Sequence, residues 1–140
     1  MTDNRMSMQE LYARMAKLVS LRSTCKRQQN GAVITSTDMR RVLSIGYNGS
    51  PRNTEHCHGG EPGTCGCIHA ELNALLKKYS PEPAVMFLTT SPCIECAKAI
   101  IQANIVKVYF INYYRDTVPL SALDKLKIYC QQISVPEIPI

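Results

Sequence analysis

Apolar residues Leu11, Met15, Leu18 and Val19 recur at helical spacing, and Ser7 with Glu10 three residues later has the pattern of a capping box. This predicts an opening helix that fades near Ser23–Cys25. The runs GAVITS (31–36) and VLSIGY (42–47) read as strands, and the polar turn TDMR (37–40) between them predicts a hairpin. Residues 48–68, rich in glycine, read as a long irregular loop. HAELNALLKKY (69–79) is helical and stops at Ser80-Pro81, because the residue before a proline is pushed out of the helical region. AVMFLTT (84–90) and IVKVYFI (105–111) are continuous apolar runs, the mark of buried strands. PCIECAKAIIQA (92–103) reads as a helix with proline at its first position, PLSALDKLKIY (119–129) as a last helix, and SVPEIPI as an extended tail. Strands and helices alternate after residue 69, which predicts an α/β layered sheet with parallel neighbours. No repeat or linker interrupts the pattern, so one domain over residues 1–140 is expected.

Composition narrows the class. With 140 residues, 45% hydrophobic and 19% charged, the chain can bury a real core and is not of a disordered type. No run approaches a membrane span and the first residues lack the apolar stretch of a signal peptide, so a soluble cytoplasmic protein is expected. The net charge of +5 suits phosphorylated ligands or nucleic acid without deciding between them.

Chemistry enters with seven cysteines, four of them in the close pairs Cys65/Cys67 and Cys93/Cys96. In a reducing compartment that usage points to metal before disulfides. Cys93 and Cys96 share the first turn of one predicted helix and His69 begins another. Helix N-termini favour thiolates. Three ligands leave zinc an open position for water, whose pKa the metal lowers. Glu71, two residues from His69, is placed to move that water's proton. H-x-E followed by P-C-x-x-C is the signature of zinc nucleobase deaminases. Glu95, inside the second motif, reads as a solvated first-turn carboxylate.

The stretches LVSLRSTCKRQQNGAVI, IGYNGSPRN, CIHAELNALL, TTSPCIECAKAIIQANI and KVYFINYYRD resemble the deoxycytidylate (dCMP) deaminases, especially short phage or bacterial members. The resemblance implies a cytidine-deaminase-like α/β/α fold with a five-stranded mixed sheet. It implies hydrolysis of dCMP to dUMP for thymidylate supply, in the cytoplasm (the host's, if phage-encoded). It also implies activation by dCTP and inhibition by dTTP, with Mg2+ on the triphosphate, and a homo-hexamer. By the same resemblance His69, Cys93 and Cys96 are zinc ligands and Glu71 the proton shuttle. Asn48 contacts the sugar, backbone groups at Ser91 hold the exocyclic amine, and Tyr114 and Arg115 lie against the substrate. Gly46, Tyr47, Asn48 and Gly49 belong to an effector loop, although Asn-Gly leaving a strand is also an ordinary turn supplying positive φ. Lys26, with Arg22 and Arg27, is a candidate for the triphosphate or a plain solvated helix end. Asn30 departs from the family's usual apolar residue before GAV and puts local packing in question.

Many viral and bacterial members of this family carry a second zinc that staples the long loop to the end of the first helix, and by that resemblance Cys25, Cys57 and Cys67 sit where such ligands occur. The fourth is Cys65 or His58, with Cys65 favoured because Gly66 lets both members of the pair turn inward. His56 is left without a role, and Cys130 reads as a small core residue. Neither membrane nor nucleic acid is expected as a partner. The alternatives are a zinc deaminase of polynucleotide cytosine or tRNA adenosine, and a non-catalytic zinc-stapled nucleic-acid-binding module.

Overall fold

The structure, a computed structural model, describes residues 4–59, 65–114 and 118–136. In chain order they form α1 (Met8–Ser20), β1 (Gly31–Ser36), β2 (Val42–Tyr47), α2 (Ala70–Leu76), β3 (Ala84–Thr90), α3 (Ile94–Gln102), β4 (Ile105–Asn112), α4 (Val118–Lys125) and β5 (Tyr129–Gln132). One five-stranded sheet runs in the order β2-β1-β3-β4-β5. The β1–β2 hairpin and the β1–β3 pair are antiparallel, while β3, β4 and β5 are parallel. Parallel neighbours need crossovers, and α3 and α4 supply them.

Alternation along the central strands divides the core between two faces. Val33, Val85, Phe87 and Tyr109 pack under α1, against Tyr12 and Ala16. Ile34, Met86, Leu88, Val108 and Phe110 face the opposite way, onto Ala74 of α2, Ala97 and Ile100 of α3, and Leu123 of α4. This is the expected three-layer α/β/α arrangement, with one helix on one side and three on the other.

Several local expectations are corrected. Ser7 does cap α1, accepting the Glu10 N–H at 3.0 Å, but Leu11 and Leu18 are 40% and 52% exposed. Met15 and Val19 do pack against the core, but the buried face proper runs through Tyr12, Ala13, Ala16 and Ser20. The reason is close approach: a Cβ on Gly31 would lie 2.1 Å from the Ala16 carbonyl oxygen, so only small residues fit where α1 crosses β1. Helix α2 ends at Leu76, leaving Tyr79 exposed. Pro92 is not the first helical residue of α3; it precedes the N-cap, which is Cys93. The last helix stops at Lys125 rather than 129 because Lys127 turns left-handed (φ 61°). The Ile128 N–H then bonds the Leu123 carbonyl at 3.0 Å and that of Lys127 the Asp124 carbonyl at 2.9 Å, a Schellman close made without glycine. The chain so redirected continues as edge strand β5. Finally, neither Asn48 nor Gly49 has positive φ. Gly49 leaves β2 extended and bridges Ile68, its N–H and carbonyl bonded to that residue at 3.1 and 2.7 Å.

Candidate metal centres and active site

His69 is the N-cap of α2 and Cys93 the N-cap of α3, both with extended backbone. The two helices lie side by side on one face of the sheet, so their caps converge beside the end of β3. His69 Nδ1 lies 3.3 Å from Cys96 Sγ and 3.4 Å from Cys93 Sγ. The N–H of Cys96 points at Cys93 Sγ from 3.5 Å, the free-donor geometry of a first helical turn. One imidazole and two thiols thus converge on one point, the donor set of a zinc site that keeps a position open. Hydrogen bonding from Cys96, then His69, brings the Cys93 thiol down to about 4. The same hydrogen bond, with burial and the Glu71 charge, pushes Cys96 up. Hydrogen bonding to Cys93 raises His69.

Glu71, on the first turn of α2, is 7% exposed, and burial raises its carboxyl above the ordinary range. Together with His69 and Cys93 it lines a cavity of about 160 Å³, while Cys96 is fully buried. Asn48, Ser91 and Tyr114 line that cavity, as do Arg27 and Asn30. Ser91 Oγ accepts the Tyr114 N–H at 2.6 Å and so holds the segment after β4 against the cavity. Arg115 lies outside the described residues.

A second cluster forms the opposite wall. The sulfurs of Cys25, Cys57, Cys65 and Cys67 lie within 4.8 Å of one another. Four convergent thiols make a closed, structural-type zinc set. N–H groups of Gly59 and Lys26 bring Cys57 down to about 6. Hydrogen bonding from the Cys67 N–H lowers Cys65, while burial raises Cys67. His58 points elsewhere: its side chain is 83% exposed and meets Glu55 at 3.4 Å. His56 is exposed as well. Cys130 is half-buried against the core.

Among the effector-loop residues, Gly46 is needed for packing, since a Cβ there would lie 2.4 Å from the Ala74 nitrogen. Lys26 and Arg22 are exposed. Arg27 differs from both: its Nε is buried without a partner among the described residues. The basic cluster concealed this, because sequence spacing does not say which of three cations turns inward. Nor is Asn30 a packing fault. Its Oδ1 accepts from Thr89 and Thr90 hydroxyls at 3.2 and 2.9 Å, so the polar residue is absorbed by a polar network.

The family model for the cytidine and deoxycytidylate deaminase zinc-binding region matches residues 6–112. The chain is 32% identical to the deoxycytidylate deaminase of Schizosaccharomyces pombe, over 95% of this chain and 46% of the relative. It is 33% identical to that of Saccharomyces cerevisiae, over 96% and 47%. It therefore spans about half the length of these curated relatives. Among solved structures, the dCMP deaminase of cyanophage S-TIM5 in complex with dCMP and dUMP superposes with a TM-score of 0.82 at 34% identity, covering 92% of this chain and 100% of that one.

Proposed function

Because this chain belongs to the cytidine and deoxycytidylate deaminase zinc-binding family, we propose that it hydrolyses dCMP to dUMP and ammonia. The observation that carries the reading is the buried Glu71 carboxyl beside the His69, Cys93 and Cys96 donors, with Glu71, His69 and Cys93 lining one cavity. His69, Cys93 and Cys96 would hold a zinc ion, which would make a water at its remaining position acidic. Glu71 would take the attacking water's first proton and deliver it to the ring nitrogen next to C4, where it stays, and then carry the second proton, from the new C4 hydroxyl, to the departing amine. The C4–N bond breaks, a C4–O bond forms, and ammonia leaves. A raised carboxyl pKa suits a group that must both hold and release a proton.

Around this centre, Arg27 is assigned to the 5′-phosphate, because its side chain lines the cavity and a guanidinium matches phosphate oxygens. Tyr114 covers the base, held by Ser91. Backbone groups at Ser91 take the exocyclic amine. Cys25, Cys57, Cys65 and Cys67 would hold a second zinc ion, which would tie the loop to the end of α1. Regulation by dCTP and dTTP with Mg2+ belongs to the same reading, as does a hexameric assembly. Its support is the family resemblance and the exposed Arg22 and Lys26. Among the described residues no helix is long and apolar enough to cross a membrane.

Incubation of the zinc-loaded protein with dCMP should yield dUMP and equimolar ammonia. No turnover with dCTP and Mg2+ present, or turnover of single-stranded DNA in preference to the mononucleotide, overturns the reading.

A further inference from the structure

The end of the sheet beside the cavity carries two asparagines in adjacent positions, one after β2 and one before β1. Asn48 is 5% exposed and its amide is engaged at both ends. Nδ2 donates to the Gln28 carbonyl at 2.6 Å, and Oδ1 accepts the Asn30 N–H at 2.8 Å. Its backbone is tied too: its N–H donates to the Asn30 carbonyl at 3.3 Å and its carbonyl accepts the Ser23 hydroxyl at 2.8 Å. The side chain therefore acts as a clamp on residues 28–30.

What it clamps is Asn30, whose own amide is oriented by its neighbours. The Thr89 hydroxyl already accepts the Gly31 N–H at 3.1 Å, so its proton is free to go to Asn30 Oδ1. The Thr90 hydroxyl donates to the same oxygen. That leaves the oxygen toward the threonines and turns the NH2 group away from them. Nδ2 finds no acceptor among the described residues. It is not sealed off either, since Arg27 Nε is the one buried, unpartnered side-chain nitrogen there. Asn30 lines the cavity together with His69, Glu71 and Tyr114. A pre-oriented neutral donor in such a place wants a neutral acceptor oxygen. The phosphate is matched by Arg27, and the amino-bearing edge of the base must face Glu71. The base carbonyl O2 and the sugar 3′-hydroxyl remain, and the hydroxyl belongs to the ring that carries the phosphate assigned to Arg27, three residues before Asn30.

Resting on the dCMP reading above, we propose that Asn30 is a specificity-determining residue that donates to the 3′-hydroxyl of the deoxyribose, and that Asn48 is the positioning residue that holds it there. An apolar residue at position 30 could not make this contact.

The test uses the reaction product, which is not consumed, so that its result is separate from that of the turnover assay. Dissociation constants of the zinc-loaded protein are measured for dUMP and for 2′,3′-dideoxyuridine monophosphate. The wild type should prefer dUMP roughly three- to tenfold, the range of one neutral hydrogen bond. Asn30→Val should bind the two nucleotides alike. Thr90→Val, which removes one of the two hydroxyls that orient the amide, should narrow the preference and is read in its place if Asn30→Val does not fold. A wild type without the preference, or variants that keep it undiminished, overturns the proposal. Failure of dCMP turnover with the preference intact sinks the deamination reading alone.

Discussion

Glu71 has to exchange a proton twice in each proposed cycle, and its burial is what equips it. Glu71→Gln should lower turnover of dCMP by about a thousandfold or more, with the zinc content by metal analysis unchanged. Arg27→Ala should raise KM for dCMP by about 10- to 100-fold, the worth of a charge-assisted bond, and leave deoxycytidine binding nearly unaffected. At this scale the motif residues were legible because helix starts present their side chains in register with sequence spacing. The contacts of Asn30 and Arg27 were not, because they depend on which hydroxyls and cavities lie across the sheet.

Elements meet through glycines and caps. A Cβ on Gly46 would lie 2.4 and 2.5 Å from backbone atoms of Ala74 and Ala70, so α2 would have to move. Gly46→Ala should therefore cost about 3 kcal/mol in denaturant unfolding and also lower activity, since α2 carries His69 and Glu71. The β1–β2 turn makes a pH prediction. The Asp38 carboxylate accepts from the Ser36 hydroxyl at 2.6 Å and the Arg40 N–H at 3.0 Å, which hold its pKa below the ordinary 3.8. The folded value lies below the unfolded one. Its contribution is thus complete above that ordinary value and disappears as pH falls through the folded value. Glu82, paired with Arg41 at 2.8 Å, acts in the same direction. Melting temperature should drop on acidification below pH 4, and Asp38→Asn should flatten that drop. The boundaries of β1 to β4 were legible to within a residue, β3 and β4 because buried strands are unbroken apolar runs, but the mostly exposed edge strand β5 was not. The buried face of α1 was not, since Ala13 and Ala16 carry little hydrophobic signal, yet it is their smallness that lets the helix approach β1.

For the whole molecule, the two donor clusters share the walls of one cavity, linked through Cys67, Ile68 and His69. Metal analysis of the purified protein should find two zinc ions per chain. Cys57→Ser should reduce that to about one and lower the melting temperature strongly, because a structural zinc supplies folding energy that a glycine-rich loop cannot gain by burial. Activity should fall with it, since Cys25, Cys65 and Cys67 all face the cavity.

The amino-acid sequence by itself determined the order and kind of most elements and the three-layer class. It also determined the two groups of metal-binding residue types, because periodicity and ligand spacing are local properties of the chain. Only the tertiary structure decided that Cys65 rather than His58 joins the second cluster, that Arg27 turns inward while Arg22 and Lys26 do not, and that Asn48 serves to clamp Asn30. Each of these depends on distances between residues far apart in the chain, which are set by how α1, the loop and the sheet end pack against one another.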